Sequence, residues 1–262
     1  MPEGHGTVFV DPSAPSEERY KAVDTKPIDK EAVEKFRKAR PDAYEHRAWR
    51  ADVGQTFCVR GAVSPDGLRW KALPDPLVIE HCDTQVVAAY NQQLRKYVMY
   101  TRNWMVGPRS PRAPDDRGLS WLNVGRRAIG RTVSDDFRRF PLSEIILEPG
   151  PDLLPSDTLY TNCYTTVPGA PDQHLLFPTV WHTSDDSCSV VVASSWDGRV
   201  WHYLPGGPVL TTGPFGRWDG GCVFASPNLV ELPDGDFVLP YTGYLFPHKY
   251  PRGSWRFQRG YP

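Results

Sequence analysis

The stretch "SPDGLRW", residues 64–70, decides the fold because it recurs along the chain. A serine, an aspartate two residues later and an aromatic residue six residues later return as "SDDFRRF" at residues 134–140 and as "SWDGRVW" at residues 195–201. The three copies begin 70 and then 61 residues apart. Repetition at a near-constant spacing indicates a fold built from similar supersecondary units.

The residues before each copy form β-type runs: "TFCVRGAVS", "RRAIGRTVS" and "SCSVVVASS". Two earlier runs of the same kind precede the second and third of these, which gives about four strands in each unit. A four-stranded meander that repeats in this way is typical of a β-propeller blade, because each blade buries its faces against its neighbours.

A second signal has the same period. The first strands of successive units begin with "DTQVVAAY" at Asp83, "DTLYTNCY" at Asp157 and "DGGCVFAS" at Asp219. These aspartates are 74 and then 62 residues apart, close to the spacing of the turn motif. We therefore expect both signals to report one structural repeat.

The sequence thus predicts an all-β chain, a β-propeller of the five-bladed type with about three and a half to four blades present in a single domain, 1–262. The predicted blades span 1–76, 81–150 and 157–210, with a partial blade at 219–262. A short helical insert is predicted within 27–50, where "DKEAVEKFRKARP" places Val33 and Phe36 on one face and ends at Pro41.

Composition excludes several functions. A formal net charge of −1 argues against a dedicated nucleic-acid-binding protein, and no apolar run is long enough to span a membrane. The sequence begins without the basic and then apolar order of a secretory signal, so we expect a cytoplasmic protein. No metal or other cofactor is expected, because the five cysteines lack zinc-site spacing and are predicted to be free thiols: Cys58, Cys82, Cys163, Cys188 and Cys222.

Several segments resemble the five-bladed propeller glycoside hydrolases, the group of arabinanases, β-xylosidases, invertases and their uncharacterised bacterial relatives. The segments are "VFVDP" with "ERYKAV", "SPDGLRW", "DTQVVAAYNQQLRKYVMYTR", "RRAIGRTVSDDF" and "ELPDGDFVLPYTGY", which cover nearly the whole chain except the helical insert. The resemblance implies a hydrolase that acts on glycosidic bonds of an oligo- or polysaccharide. It also implies that the family's first blade is missing.

Sialidases are an alternative because their turns also begin with Ser-x-Asp and end in an aromatic residue. Their box has glycine four residues after the serine, whereas Gly67 and Gly198 lie three residues after it. An arginine triad for a sialic carboxylate is also not recognisable as a motif in this sequence.

The candidate catalytic residues are Asp83, Asp157 and Asp219. A residue at the same end of successive innermost strands is delivered to one opening of a propeller's channel, and glycoside hydrolysis requires one carboxyl as acid and another as nucleophile or base. The alternative for each aspartate is structural: it accepts backbone N–H groups where its strand begins. For Asp66, Asp136 and Asp197 of the repeated turns we favour the structural role.

Two further acidic residues lie at the far or outer ends of their strands. The resemblance of Asp11 to a catalytic motif is superficial, whereas Glu231 stays an alternative general acid because that acid is often a glutamate in the family. Asp11 follows the far end of its strand and is expected to open a turn, and Glu231 ends a strand before the "PDG" turn, at an outer position.

The candidate substrate-binding residues flank or face the predicted channel mouth. A long loop follows "YTR" and carries Trp104 and Trp121, and loops of this length are usually functional or disordered. Sugars stack on aromatic rings and offer hydroxyls to arginine, so the full set of predicted binding residues is Arg102, Trp104, Arg126, Arg127, Tyr160 and His182. The alternative for a tryptophan in a propeller is packing.

A basic sector lies around this loop: residues 95–139 hold 11 Lys or Arg against four Asp. The sector predicts a preference of Arg102, Arg126 and Arg127 for acidic sugars, and the alternative is a solvated arginine-rich loop.

The alternative to a glycosidase is a non-catalytic propeller that binds a glycan or a protein, and a truncated chain would favour this alternative. The expected partner is a carbohydrate, with no nucleic acid and no membrane, and the oligomeric state is left open.

Overall fold

The computed structural model describes residues 6–45, 56–80, 82–105 and 125–249. The chain forms two compact units, residues 1–148 and 149–262, each of which is built from antiparallel sheets. One α-helix, two short 3-10 helices and twenty short strands account for the regular structure of the described residues. No helix in these ranges is long and apolar enough to cross a membrane.

The first sheet of the first unit contains β1 (Thr7–Val10), β2 (Tyr20–Ile28), β3 (Thr56–Ser64) and β4 (Lys71–Ala72) in that order. This is the predicted meander, and the first "SPDGLRW" turn joins its last two strands. A 3-10 helix at Ser16–Glu18 lies between the first two strands.

The predicted insert is helix α1 (Lys30–Ala39), and it begins later than 27 because Pro27 and Ile28 still pair with β3. Asp29 caps the helix by accepting the Ala32 N–H at 2.9 Å. Its apolar face, Val33 and Phe36, is buried in the core of the unit. A 3-10 turn at Pro41–Ala43 follows, as the helix-ending proline predicts.

The second sheet of this unit contains β5 (Val87–Asn91), β6 (Lys96–Met105), β7 (Arg126–Ser134) and β8 (Glu144–Leu147), again in sequence order. One buried cluster joins both sheets and the helix, with members such as Val59, Phe36, Met99 and Phe140. The two sheets and α1 therefore share one core.

The second unit contains one four-stranded meander whose strands are each broken in two. Its first half-sheet comprises β9 (Asp157–Leu159), β12 (Thr179–His182), β13 (Ser187–Val190) and β16 (Leu210–Thr211). The other comprises β10 (Tyr164–Val167), β11 (Ala170–Leu176), β14 (Ala193–Ser195) and β15 (His202–Tyr203). Both halves keep the strand order of a single meander.

The breaks have local causes. Cys163, which precedes β10, adopts a left-handed backbone with φ of 43°, a conformation that costs energy for any residue except glycine. Pro178, between β11 and β12, has no N–H to donate to the ladder. Backbone bonds such as Val191 N–H to Pro178 O at 3.1 Å continue the pairing across the break.

The last described strands of the second unit form two short antiparallel pairs. β17 (Cys222–Ala225) pairs with β20 (Tyr241–Tyr244), and β18 (Val230–Glu231) pairs with β19 (Phe237–Val238). Residues 250–262 lie outside the described part of the chain, so the prediction for the end of the partial blade is not tested.

The repeated turn has the predicted structural role. The hydroxyl of Ser64 accepts the Gly67 N–H at 2.9 Å, and Asp66 Oδ1 accepts the N–H groups of Leu68 and Arg69 at 2.9 and 2.8 Å. The indole of Trp70 donates to Gly67 O at 3.0 Å. These backbone N–H groups hold the pKa of Asp66 well below its usual range.

The third copy of the turn repeats these contacts: Ser195 Oγ accepts the Gly198 N–H at 2.9 Å, and Trp201 donates to Gly198 O at 3.1 Å. Hydrogen bonds from the N–H groups of Val200 and Arg199 lower the pKa of Asp197 to about 2. The second copy, which lacks the glycine, keeps the bond from the Arg138 N–H to Asp136 Oδ1 at 2.8 Å. The motif thus holds each turn through hydrogen bonds between its side chains and its own backbone.

The burial of helix α1 predicts a large effect of truncating Phe36, which is 6% exposed within the shared core. We expect Phe36→Ala to lower the free energy of unfolding by about 3–5 kcal/mol, because a large cavity replaces the ring. Urea unfolding followed by circular dichroism measures the change. Leu68→Ala, at an exposed position of the first turn, is the control and should change stability by less than about 0.5 kcal/mol. A loss of the same size in both variants would contradict the packing of α1 on the core.

Candidate functional site

The three candidate aspartates lie where the first strand of a meander begins. Asp83 precedes β5 in the first unit, Asp157 is the first residue of β9, and Asp219 precedes β17 in the second unit. The side chain of Asp83 is 23% exposed, that of Asp157 is 4% exposed and that of Asp219 is 12% exposed. Asp83 is therefore the most accessible of the three carboxylates.

Asp83 forms an ion pair with Arg102, a residue near the end of β6. The Arg102 guanidinium is almost fully buried, whereas the carboxylate reaches solvent. Burying a guanidinium is costly unless a negative charge accompanies it, so the pair fixes the position of both groups.

The Trp104 ring contacts two guanidinium groups. The Arg102 Cζ is 5.1 Å and the Arg127 Cζ 5.3 Å from the centre of the Trp104 rings. Trp104 and Arg127 are direct cross-strand partners on β6 and β7, and Arg102 is two residues from Trp104 on the same strand. All three therefore project from one face of the sheet, where cation–π contacts stabilise the stack.

The structure separates Arg126 from this group. Arg126 pairs with Met105, and neighbouring residues of a strand project from opposite faces, so Arg126 lies on the other face of the sheet. Trp121 belongs to residues 106–124, which lie outside the described part of the chain.

Glu80 is a buried acid that the sequence analysis missed. Thr101 Oγ1 donates to its Oε1 at 2.6 Å, and the N–H and hydroxyl of Ser143 donate to its Oε2 at 3.1 and 2.9 Å. Burial, which outweighs these hydrogen bonds, raises the pKa of Glu80 to about 7. The available signal was a single glutamate at the end of the apolar run "LVIE".

The carboxyl groups of Glu80 and Asp83 do not lie on the same face of the sheet. It contacts Thr101, whereas Asp83 contacts Arg102, the next residue of β6. Consecutive residues of a strand project from opposite faces, so the two carboxyl groups bind to opposite faces of one strand.

Asp157 is part of a hydrogen-bonded chain within the second unit. Its Oδ1 lies 3.0 Å from His182 Nδ1, and its Oδ2 accepts the Leu154 N–H at 3.0 Å. The other ring nitrogen of His182, Nε2, lies 2.9 Å from Ser189 Oγ. The predicted binding residue His182 thus bridges a buried carboxylate and a serine hydroxyl.

Tyr160 lies on the opposite face of this half-sheet. It follows β9 and bonds through its N–H to Thr179 O, so its side chain alternates with Asp157 and shares the face of Trp181. There its ring contacts Trp181, Phe224 and His248 at centroid distances of 5.9, 5.7 and 4.4 Å. The structure does not bring Tyr160 together with His182.

Asp219 sits between two glycines. A Cβ at Gly213 would lie 2.4 Å from Asp219 Oδ1, and a Cβ at Gly243 would lie 2.6 Å from the Asp219 Cβ. The hydroxyl of Tyr241 donates to Asp219 Oδ2 at 3.4 Å, and Arg217 Nε lies 3.8 Å from Oδ1. This close packing leaves the carboxylate little freedom to move.

The three aspartates are held in place in the same way. Each is held by a residue from the strand that pairs with its own first strand: Arg102 on β6, His182 on β12 and Tyr241 on β20. The contacts explain why aspartate recurs at this position without requiring chemistry from all three. They support the structural alternative most strongly for Asp157 and Asp219, which are also the more deeply buried.

Asp11 is structural, as expected. Its Oδ1 accepts the Ser13 N–H at 2.9 Å, Tyr97 donates to Oδ2 at 2.7 Å, and Lys21 Nζ lies 3.2 Å away. Burial raises the pKa of Asp11, but these hydrogen bonds and the cation outweigh it and leave the pKa below its ordinary value. Glu231 ends the short strand β18, as expected from the sequence.

The sequence matches no protein-family model and no curated protein sequence. Among solved structures, the chain is similar to an N-acetylgalactosamine deacetylase from F. plautii in complex with blood group B trisaccharide, with a TM-score of 0.53, 13% identity, and coverage of 90% of this chain and 78% of that one. It is also similar to a glycosyl hydrolase from Bacteroides ovatus, with a TM-score of 0.53, 12% identity, and coverage of 86% and 57%.

These similarities confirm the predicted fold class, an all-β propeller type with one helix. They confirm the resemblance to glycoside hydrolase-type propellers at the level of fold. The particular subfamily, the missing first blade and the single-domain organisation stay predictions.

The buried carboxyl of Glu80 predicts a pH dependence of stability. Its pKa is about 7 in the folded chain against an ordinary value of 4.5, so the folded state binds the proton more tightly and is favoured at low pH. Stability should fall by about 3 kcal/mol as the pH rises from 4.5 through 7, at about 1.4 kcal/mol per pKa unit. Urea unfolding at several pH values measures this change.

Glu80→Gln is the matched variant because glutamine has the same size and does not titrate. The difference in unfolding free energy between wild type and variant should therefore shrink or change sign across this pH range. A difference that is constant with pH would show that Glu80 does not titrate there.

Proposed function

We propose that the chain is a glycan-active propeller that cleaves a glycosidic bond of an oligo- or polysaccharide, with Asp83 as the principal catalytic carboxylate. The observation that carries the proposal is the Asp83–Arg102 pair, in which a buried guanidinium presents a partly exposed carboxylate at the start of a first strand. The names of the structural neighbours support the substrate class: one is a glycosyl hydrolase and the other was bound to a trisaccharide.

The arginine partner determines which catalytic role suits Asp83. A neighbouring cation favours the ionised form of a carboxyl group, so Asp83 is suited to attack the anomeric carbon or to deprotonate water. It is poorly suited to protonate the leaving oxygen. The general acid must be a second carboxyl group.

We assign Trp104 a positioning role. The residue is 7% exposed and its ring contacts both guanidinium groups, which leaves little surface for a sugar to stack on. The ring instead fixes the directions of Arg102 and Arg127. Arg127 can then bind a hydroxyl or an acidic group of the substrate.

Two arginines on one face favour an acidic glycan. Arg102 pairs with Asp83, and Arg127, which is 9% exposed, lies on the same face of the sheet. A carboxylate or sulfate on the sugar would offer a charge-assisted, bidentate partner that a neutral sugar lacks. We therefore propose uronic or sulfated units as the preferred substrates.

A second function is favoured by a specific observation. All three aspartates are already engaged by side chains of their own meander, as they would be in a propeller that binds a glycan or a protein without cleaving it. The two functions differ in whether any glycoside is cleaved by the wild-type chain.

Asp83→Asn tests the catalytic role. We expect hydrolysis of a responsive glycoside, found by screening neutral and acidic oligosaccharides, to fall about 100–10,000-fold, the usual contribution of an acid–base group. Binding of the same glycoside, measured by isothermal titration calorimetry, should change only a few-fold. Asp75→Asn, at an exposed position of the same unit, is the control and should retain full activity. Binding without cleavage by the wild type would favour the non-catalytic function.

Arg127→Gln tests the preference for acidic sugars. With a matched pair of neutral and acidic oligosaccharides, the variant should lose about tenfold in affinity for the acidic one and little for the neutral one, and the loss should shrink in high salt. Arg126→Gln removes the same charge from the opposite face and is the matched comparison. Equal losses in both variants, or none, would show that the arginines contribute only general charge.

A further inference from the structure

The second unit contains a second arrangement with the geometry of a catalytic site, independent of the proposed glycosidase. Asp157, His182 and Ser189 form a continuous chain of hydrogen bonds across β9, β12 and β13. The two contacts are 3.0 and 2.9 Å, and each uses a different nitrogen of the imidazole. A nucleophile, a base within hydrogen-bonding distance and a third group that orients the base are the parts of a serine hydrolase.

The antiparallel register creates this chain from distant residues. His182 lies directly opposite Asp157, which places a histidine nitrogen within reach of a carboxylate. Ser189 pairs with Val180, two residues before His182 on the same face of the strand. The imidazole ring spans this diagonal and reaches the hydroxyl.

The carboxylate determines the direction of both hydrogen bonds. An ionised carboxylate can only accept, so His182 Nδ1 must carry the proton and donate it to Asp157 Oδ1. In neutral imidazole the other nitrogen is then an acceptor, and Ser189 donates its hydroxyl proton to Nε2. This is the arrangement in which histidine can act as a general base toward the serine.

Asp157 itself is held in place. It is 3% exposed, and its second oxygen accepts the Leu154 N–H at 3.0 Å. The His182 side chain is 26% exposed, whereas Ser189 is 8% exposed, so a substrate would have to approach along the histidine edge. The limited exposure of the serine suits a small acyl group.

We propose that Ser189, His182 and Asp157 form an acyl-transfer site that hydrolyses carboxylic esters with a short acyl chain. Ser189 Oγ attacks the carbonyl carbon while its proton passes to His182 Nε2. The ester C–O bond then breaks, and the alcohol leaves with that proton. Asp157 stabilises the imidazolium formed in between.

Water completes the cycle. It attacks the acyl–serine carbonyl and gives a proton to His182 Nε2. The bond from the acyl carbon to Ser189 Oγ breaks, the free carboxylic acid is released, and the proton returns to the serine. No oxidant or cofactor is required.

The test uses the full chain with p-nitrophenyl acetate as substrate and a fluorophosphonate as covalent probe. We expect the wild type to hydrolyse the ester above the buffer rate and to gain a phosphonyl adduct on the peptide that contains Ser189, detected by mass spectrometry. Ser189→Ala should lose the adduct and at least about 100-fold of the catalysed rate, the lower end of what general-base assistance provides.

Ser187→Ala is the matched control because Ser187 lies on the same strand and the same face, opposite His182, and bonds instead to Asp185 at 2.7 Å. It should keep both the adduct and the rate. Asp157→Asn offers a second test that retains the serine, since an amide N–H pointing at Nδ1 would force the proton onto Nε2 and slow labelling of Ser189. Circular dichroism of each variant confirms that it is folded.

The outcome that overturns the proposal is specific. A chain of hydrogen bonds with only a structural role predicts no adduct on Ser189 and the same ester hydrolysis in wild type and Ser189→Ala. Because the assay contains no glycoside, this result would leave the proposed glycosidase activity unaffected.

Discussion

The structure depends on the register of an antiparallel meander. In such a sheet the first residue of one strand lies beside the last residues of the next, whatever the sequence of the strands between. An acid at the start of the first strand therefore meets a side chain from the end of the second strand, as Asp83 meets Arg102 and Asp157 meets His182. The register holds each carboxylate in place, and the sequence of the second strand determines which side chain the carboxylate contacts.

The alternation of side chains along a strand gives neighbouring residues different partners. On one strand, β6, Thr101 contacts the buried acid Glu80, and Arg102, the next residue, contacts Asp83. On β12, His182 contacts Asp157 and Ser189, while Trp181 faces an aromatic cluster with Tyr160. A shift of one residue in either register would exchange these partners and remove both arrangements.

The repeated turn explains how much of the fold could be predicted. Ser64, Asp66 and Trp70 bond to their own backbone, so the motif is local and is visible in sequence wherever it occurs. Helix α1 was equally visible through its apolar face and its terminal proline. The broken strands of the second unit were not, because the left-handed backbone at Cys163 leaves no trace in the alternation of apolar residues.

The candidate site was only partly predictable, because its contacts depend on how the strands pair. The spacing of the aspartates predicted Asp83, Asp157 and Asp219 as candidates, but the partner of each depends on strand register, which spacing does not give. Arg126 and Arg127 were indistinguishable as sequence neighbours, yet they project from opposite faces. Glu80 was missed because a buried acid at the end of an apolar run resembles an ordinary strand end.

The most direct test of the central claim is a crystal structure of Asp83→Asn bound to an oligosaccharide. We expect to find a bound sugar whose anomeric carbon, or the water that attacks it, lies within about 3.5 Å of residue 83, as a reactive geometry requires. We also expect a second carboxyl group across the scissile bond, about 5 Å from residue 83 in a retaining enzyme or about 6.5–9.5 Å in an inverting one. A sugar bound away from residue 83, with the side chain of residue 83 still in contact with Arg102, would contradict the catalytic role of Asp83.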